Sequence, residues 1–406
     1  HGSNLSRSGA SDKPGAVQFK QLQNQHLSML LSGLSSARSS RESRKSRSVR
    51  RHMSIDIRHK ALKKSSRRWL INACNPWNMG DSAVEDVPAA EVRDLLFAAE
   101  LHGVLPIVHK RFRQLFAQHS TSSNPAASAL ADAIRNARQI LVGQAAFELM
   151  LRHQAERVMA EFRQIGLDAA VIKGPTFARR LYAEPSLRSF SDIDILIPVG
   201  SRAVVGGIMS KLGFKAVERD YRGSTDYFED VWVLESDRRI QVEIHANLAH
   251  NPKLRRFASV TYEDVLAAGG GDPEDATALL FVAASHGALS HQFDRLQHVV
   301  DVTLAAAGAA GPIDAQRLRA VAERSGVLRA IVSALVLAHR TFGCTKCASL
   351  VQALRPGLMD KLASRLIDPE TVVAARSTSR SARSWRRKVF RQSLRMGSKP
   401  IAQSRM

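Results

Sequence analysis

Ser191-Asp192-Ile193-Asp194-Ile195-Leu196-Ile197-Pro198 sets two carboxylates one residue apart at the start of an apolar run. Strand side chains alternate between faces, so Asp192 and Asp194 are predicted to share one face while Ile193, Ile195 and Ile197 fill the other. Two adjacent acids repel each other, and a fold keeps such a pair mainly to hold cations. The pattern predicts a magnesium site. The plainer alternative is a strand-end turn in which each carboxylate caps a neighbouring backbone N–H, which accounts for one acid more readily than for two.

Two further segments sharpen the expectation. Ala169-Ala170-Val171-Ile172-Lys173-Gly174-Pro175 reads as a short buried strand stopped by a glycine, with helical character from Thr176 to Tyr182. A strand, a glycine turn and a helix N-terminus cradle phosphate through backbone N–H groups and the helix dipole, and Lys173 adds positive charge beside them. Downstream, Arg239-Ile240-Gln241-Val242-Glu243-Ile244-His245 alternates, so Gln241, Glu243 and His245 share a face opposite Ile240, Val242 and Ile244. If that strand lies beside the Asp192/Asp194 strand, Glu243 becomes a third carboxylate. Three acids, a phosphate cradle and a basic residue are the parts of two-metal nucleotidyl transfer, with two Mg2+ ions expected and Mn2+ as the alternative ion.

The run from Val171-Ile172-Lys173-Gly174 through Tyr182 and Arg188 to Ser191-Asp192-Ile193-Asp194, then Val242-Glu243-Ile244-His245, resembles the uncharacterised bacterial nucleotidyltransferase family. That family is similar to the wider polymerase-β-type superfamily, in which a strand–turn–helix bearing Gly-Ser precedes the Asp-x-Asp. Lys173-Gly174 stands here where Gly-Ser would be; no serine hydroxyl follows the glycine, and Pro175 has no N–H. The resemblance runs roughly from Val87 to His339, with Phe97 to Arg113 similar to the family's N-terminal helical segment. Ser285-His286-Gly287 and Phe293 to Asp301 are similar to its C-terminal one. It implies Asp192, Asp194 and Glu243 as catalytic and metal-binding residues, and Lys173, Gly174 and Arg188 as nucleotide-binding residues. The implied reaction moves an NMP from an NTP, with ATP expected, to an unidentified acceptor. The alternative is a catalytically silent fold that holds a nucleotide, an RNA or a protein partner.

Several residues carry two readings. Arg188 could contact a phosphate or orient a carboxylate, or be a surface arginine in a loop. Tyr182 could stack on a base or pack in the core. His245 could be a second-shell partner of the acids or make a simple buried hydrogen bond. His286, His291 and His298 do not form one clean helical face, so no metal is assigned to them. Cys344-Thr345-Lys346-Cys347 has the spacing of half a zinc site or a redox pair; no second Cys pair exists, and two reduced thiols at a helix boundary are expected.

The elements that must position these residues predict an α+β fold, a small mixed sheet with an α/β core between helical segments. Helices are expected over Ala90 to Gln118 and Ala126 to Ile165, then from about Ser201 to Leu212 with Gly213 as the stop. A strand from Phe214 and a hairpin through Ser236-Asp237 follow. Gly269-Gly270-Gly271 reads as a linker to a C-terminal bundle. The predicted division is 1–68 basic tail, 81–165 helical, 166–268 nucleotidyltransferase core, 272–370 helical and 371–406 basic tail.

The chain has 406 residues, 44% of them hydrophobic, and a formal net charge of +22. Residues 1–68 are rich in Ser, Arg and Lys and are expected to be disordered; the residues before Met53 read as an upstream extension or a misplaced start. No acid follows Glu370, while arginines and lysines accumulate. Such tails can meet nucleic acid or an anionic membrane through charge, and Trp385 and Phe390 could form a short amphipathic helix that touches membrane. A solvated arm is the simpler reading. Three cysteines, no apolar run of span length and no hydrophobic stretch behind the N-terminal charges lead to the expectation of a cytoplasmic protein without a transmembrane segment.

Overall fold

The computed structural model describes residues 62–77, 91–119, 125–217, 227–374 and 385–395, all within one compact unit, Ile57–Met406. The expectations for the chain up to Ala61, Met53 included, and for the basic residues beyond 395 lie outside the described residues. Four helices come first: α1 (Lys64–Ala73), α2 (Val92–Leu101), α3 (Leu105–His119) and the long α4 (Pro125–Gln164). The α/β part follows as β1 (Ala170–Val171), α5 (Gly174–Leu181), β2 (Ile193–Leu196), α6 (Arg202–Lys211), β3 (Phe214–Val217), β4 (Glu229–Leu234) and β5 (Gln241–His245). The remainder is helical: α7 (Pro252–Arg255), α8 (Tyr262–Ala268), α9 (Ala276–Leu289), α10 (Leu296–Ala307), α11 (Ala315–Arg324), α12 (Leu328–Phe342), α13 (Thr345–Ala353), α14 (Leu358–Ala363), α15 (Pro369–Ala374) and α16 (Trp385–Ser393). The α+β expectation holds.

The five-stranded sheet has the order β1-β2-β5-β4-β3, and only the central β2/β5 pair is parallel. One face is dry: Ile193, Ile195 and Ile197 meet Val242 and Ile244, covered by Leu151, Val158 and Phe162 of α4 and Met209 of α6. Leu196, two residues beyond Asp194 and on its face, joins the other core, which the helices build. β2 is thus buried on both faces, which is why its apolar run is nearly continuous.

At the centre of that second core, every residue of α9 is buried. The Asp275 carboxylate accepts the Thr277 N–H at the start of α9, and α8 begins with a Thr261/Asp264 capping box. The triple glycine is a turn between α8 and α9 rather than a linker, because Val265 and Ala268 of α8 pack into the same core as Leu280 and Phe281 of α9.

Both ends differ from the expected tails. Residues 64–68, placed in the disordered segment, begin α1, whose Leu70 is fully buried and whose Trp69 stacks on Phe112 at 4.8 Å. In the basic C-terminal segment, α16 docks: Phe390 is fully buried and Arg387 nearly so. Phe390 therefore faces the protein core and is not available to a membrane, whereas Trp385 is exposed. Among the described residues no helix is long and apolar enough to cross a membrane.

Candidate active site

The parallel register of β2 and β5 sets Asp194 directly opposite Glu243. His245 follows on the same face of β5, and its Nε2 lies 3.1 Å from Asp194 Oδ1 and 3.8 Å from Glu243 Oε2. Asp194 Oδ1 also receives Lys173 Nζ at 2.8 Å, and Asp194 and His245 are almost wholly buried. Ligand atoms of Asp194, Glu243 and His245 fall within 4.8 Å of one another. Asp192, half-buried just before β2, stands outside that group but within the field of Asp194, Lys173, Arg295 and His245.

The electrostatics are those of crowded acids. Burial, reinforced by Asp194 and Asp192, pushes the Glu243 carboxyl up to about 7. Burial and then the Asp194 charge also raise Asp192. Burial would raise Asp194 as well, but the Lys173 ammonium and the His245 hydrogen bond overcome it and hold this carboxyl below the ordinary range. The Asp194 and Glu243 carboxylates, with Asp192 close by, offer the oxygen ligands that suit a hard divalent cation, and His245 adds one ring nitrogen to the group.

Gly174 ties the phosphate-loop candidate to these acids. Its φ of +48° is left-handed, and a Cβ there would stand 3.2 Å from the Asp192 carbonyl oxygen, so the first turn of α5 presses against the strand that carries the carboxylates. Lys173, immediately before it, reaches both Asp194 and, at 3.0 Å, Nε2 of His286.

Arg188 is a buried residue, not a surface arginine in a loop. Its Nε and Nη2 each donate to Asp301 at 2.9 Å, and Nη1 reaches the Gly174 carbonyl at 3.4 Å. The carboxylate it orients is therefore Asp301 of α10, which also accepts the Tyr182 hydroxyl at 2.8 Å. Tyr182 is buried there, packed in the core rather than presented for base stacking. This group fastens the α5–β2 loop to the helical bundle.

The sequence reading missed what the bundle contributes. His245, His250, His286, His291 and His298 form a continuous row, with neighbouring ring centroids 4.5–6.5 Å apart. Glu229 of β4 pairs with His250 at 3.3 Å. Arg295, at the head of α10, lies close enough to Asp192 to lower its affinity for a proton. The three C-terminal histidines did not share a helical face on paper because the helix does not continue through them. Gln292 and Phe293 take φ of +47° and +52°, so the chain reverses and returns His298 beside His286. Neither residue type announces a left-handed turn. Cys344 and Cys347 lie at the start of α13, where the Cys344 thiol accepts the Cys347 N–H at 3.3 Å, and both are free and buried.

No curated protein and no solved structure matches this chain. Residues 88–343, more than half of the sequence and close to the stretch expected from its motifs, match the family described as uncharacterised nucleotidyltransferase, and the chain belongs to that family.

Proposed function

We propose that this protein is a Mg2+-dependent nucleotidyltransferase, transferring an NMP from an NTP, with ATP as the first candidate, to an acceptor hydroxyl. The observation that carries this reading is the pairing of Asp194 with Glu243 across parallel strands, with Asp192 two residues before Asp194. In the reaction a bond forms between the acceptor oxygen and the α-phosphorus, the bond from that phosphorus to the β-bridging oxygen breaks, pyrophosphate leaves, and the acceptor proton passes to solvent. Asp192, Asp194 and Glu243 would hold the divalent ions, Mn2+ substituting for Mg2+, which neutralise phosphate charge and activate the hydroxyl when bound. Lys173 exchanges Asp194 for a substrate phosphate as the acids fill. His245 keeps Asp194 oriented, and Arg188 acts at one remove by fixing Gly174 and Asp301 rather than by touching the nucleotide.

The Lys173–Asp194 ion pair favours a second reading, because an internal cation already satisfies the acid and a catalytically silent binding module needs nothing more. Calorimetry of NTP binding to the full chain, with and without Mg2+, separates the two. Binding that requires both Mg2+ and the carboxylates, and that disappears in Asp192→Asn/Asp194→Asn while the fold is retained, supports the enzyme. Metal-independent binding unchanged in that variant supports the silent module. Incorporation of label from α-labelled NTPs into a mixed acceptor pool then tests turnover; normal turnover in the double variant overturns the assignment of the site.

A further inference from the structure

We propose that His286, His291 and His298 form a transition-metal site of the Zn2+ class, distinct from the carboxylate site on β2 and β5. The three residues come from the last turn of α9, the reversing loop and the first turn of α10. Their ligand nitrogens lie within 4.8 Å of one another, and no hydrogen bond joins the three rings. Nδ1 of His298 is buried without a hydrogen-bond partner, and the residue itself is 9% exposed. A buried ring nitrogen in that condition points to a ligand.

Asp294 flanks two of the three rings. Its Oδ1 stands 3.5 Å from Nδ1 of His291 and 3.8 Å from Nδ1 of His298. Those separations are long for hydrogen bonds and close to the roughly 3.4 Å edge of a tetrahedron built on metal–ligand bonds of about 2.1 Å. Imidazole nitrogens select borderline ions such as Zn2+ over Mg2+, which is the reverse preference of the acid cluster nearby.

The positions are built rather than incidental. Gly287 leaves room for the Phe293 ring and for His298, since a Cβ there would come within 2.9 Å of Phe293. From the other side, Arg387 of α16 donates to the Gln292, Phe293 and Thr371 carbonyls at 2.7–3.0 Å and pins the loop in its left-handed course. The Lys173 ammonium sits on Nε2 of His286, so an ion that takes this nitrogen sends Lys173 to Asp194 alone.

The test is titration of the chelator-stripped full chain with Co2+, followed by its visible d–d absorption and by metal analysis after Zn2+ loading. The expected result is one tightly held equivalent that survives in Asp192→Asn/Asp194→Asn and is weakened at least about tenfold in His291→Ala. His298→Ala should behave likewise. If that buried substitution unfolds the chain by circular dichroism, His291→Ala, whose ring is partly exposed, decides. The proposal is overturned if the wild-type chain binds no Co2+, if His291→Ala binds it as tightly as wild type, or if the equivalent is lost in the carboxylate variant instead. None of these readouts depends on nucleotidyl transfer, so the site stands or falls apart from the proposed activity.

Discussion

Removing the charge of Asp301 should destabilise this protein far more than removing the whole cluster around it. Asp301 accepts three hydrogen bonds, two from Arg188 and one from Tyr182, and both members of the ion pair are about 95% buried. Asp301→Asn keeps the shape but leaves the Arg188 guanidinium as an unbalanced buried cation and turns an amide NH2 toward one of its donors. Breaking a buried pair in this way costs about 3–5 kcal/mol, a large share of the ~5–15 kcal/mol that a domain has in total. Arg188→Met should cost a similar amount by stranding the carboxylate. The triple substitution Arg188→Met/Asp301→Leu/Tyr182→Phe strands no buried charge, losing beyond the cluster only the long Arg188 contact to the Gly174 carbonyl, and should return to within about 2 kcal/mol of wild type. Urea unfolding of the full chain, followed by tryptophan fluorescence with the slope checked for constancy, measures all three. The reasoning fails if Asp301→Asn lies within about 1 kcal/mol of wild type. It also fails if the triple variant is as unstable as the sum of its parts, which would mean that the cluster has no internal coupling.

Two further outcomes follow from the site. Glu243 has its carboxyl raised to about 7, so the folded chain favours its protonated form. That stabilisation is complete below an unfolded value of about 4.3 and is lost as pH rises through 7, on the order of 3 kcal/mol in all. In metal-free buffer Glu243→Gln should therefore gain stability relative to wild type between pH 5 and pH 8, and an unchanged difference across that range refutes the assignment. Gly174→Ala forces a side chain into a left-handed residue 3.2 Å from the Asp192 carbonyl, and should cost about 1–2 kcal/mol in thermal unfolding. The same variant should lose NTP binding more than its stability change explains; intact binding would separate this turn from the nucleotide.

Alternation carried most of what the sequence revealed. The period of two placed Ile193, Ile195 and Ile197 against one core with Asp194 on the opposite face, and in β5 Val242 and Ile244 join that same core while Glu243 and His245 face Asp194. Family membership was also legible, because a strand, a glycine turn and paired acids in order leave a strong pattern. What the sequence concealed depends on contacts between distant residues. Arg188 and Asp301 are separated by 113 positions, and nothing local to Arg188 distinguishes a buried partner from a solvated arginine. The histidine row required a reversal at Gln292 and Phe293, where neither residue is glycine or asparagine. The C-terminal segment reads as uniformly basic and hence as solvated, yet both Nη groups of Arg387 donate to backbone carbonyls and Phe390 fills the core beneath it.

That last helix changes where the working unit of this chain ends. The family match stops at residue 343, but the loop that carries His291 and leads to Arg295 is held by Arg387, more than forty residues later. A fragment trimmed to the family's limits would keep Asp192, Asp194, Glu243 and the row from His245 to His298 and still lose the clasp behind them. Such a fragment would report on a loosened site, so low activity measured on it would say little about the chemistry of the whole protein. The segment from α14 to α16 is better regarded as an outer buttress of the histidine-bearing loop than as an appendage, and substitutions there should register at a distance, in the spacing of side chains they never touch.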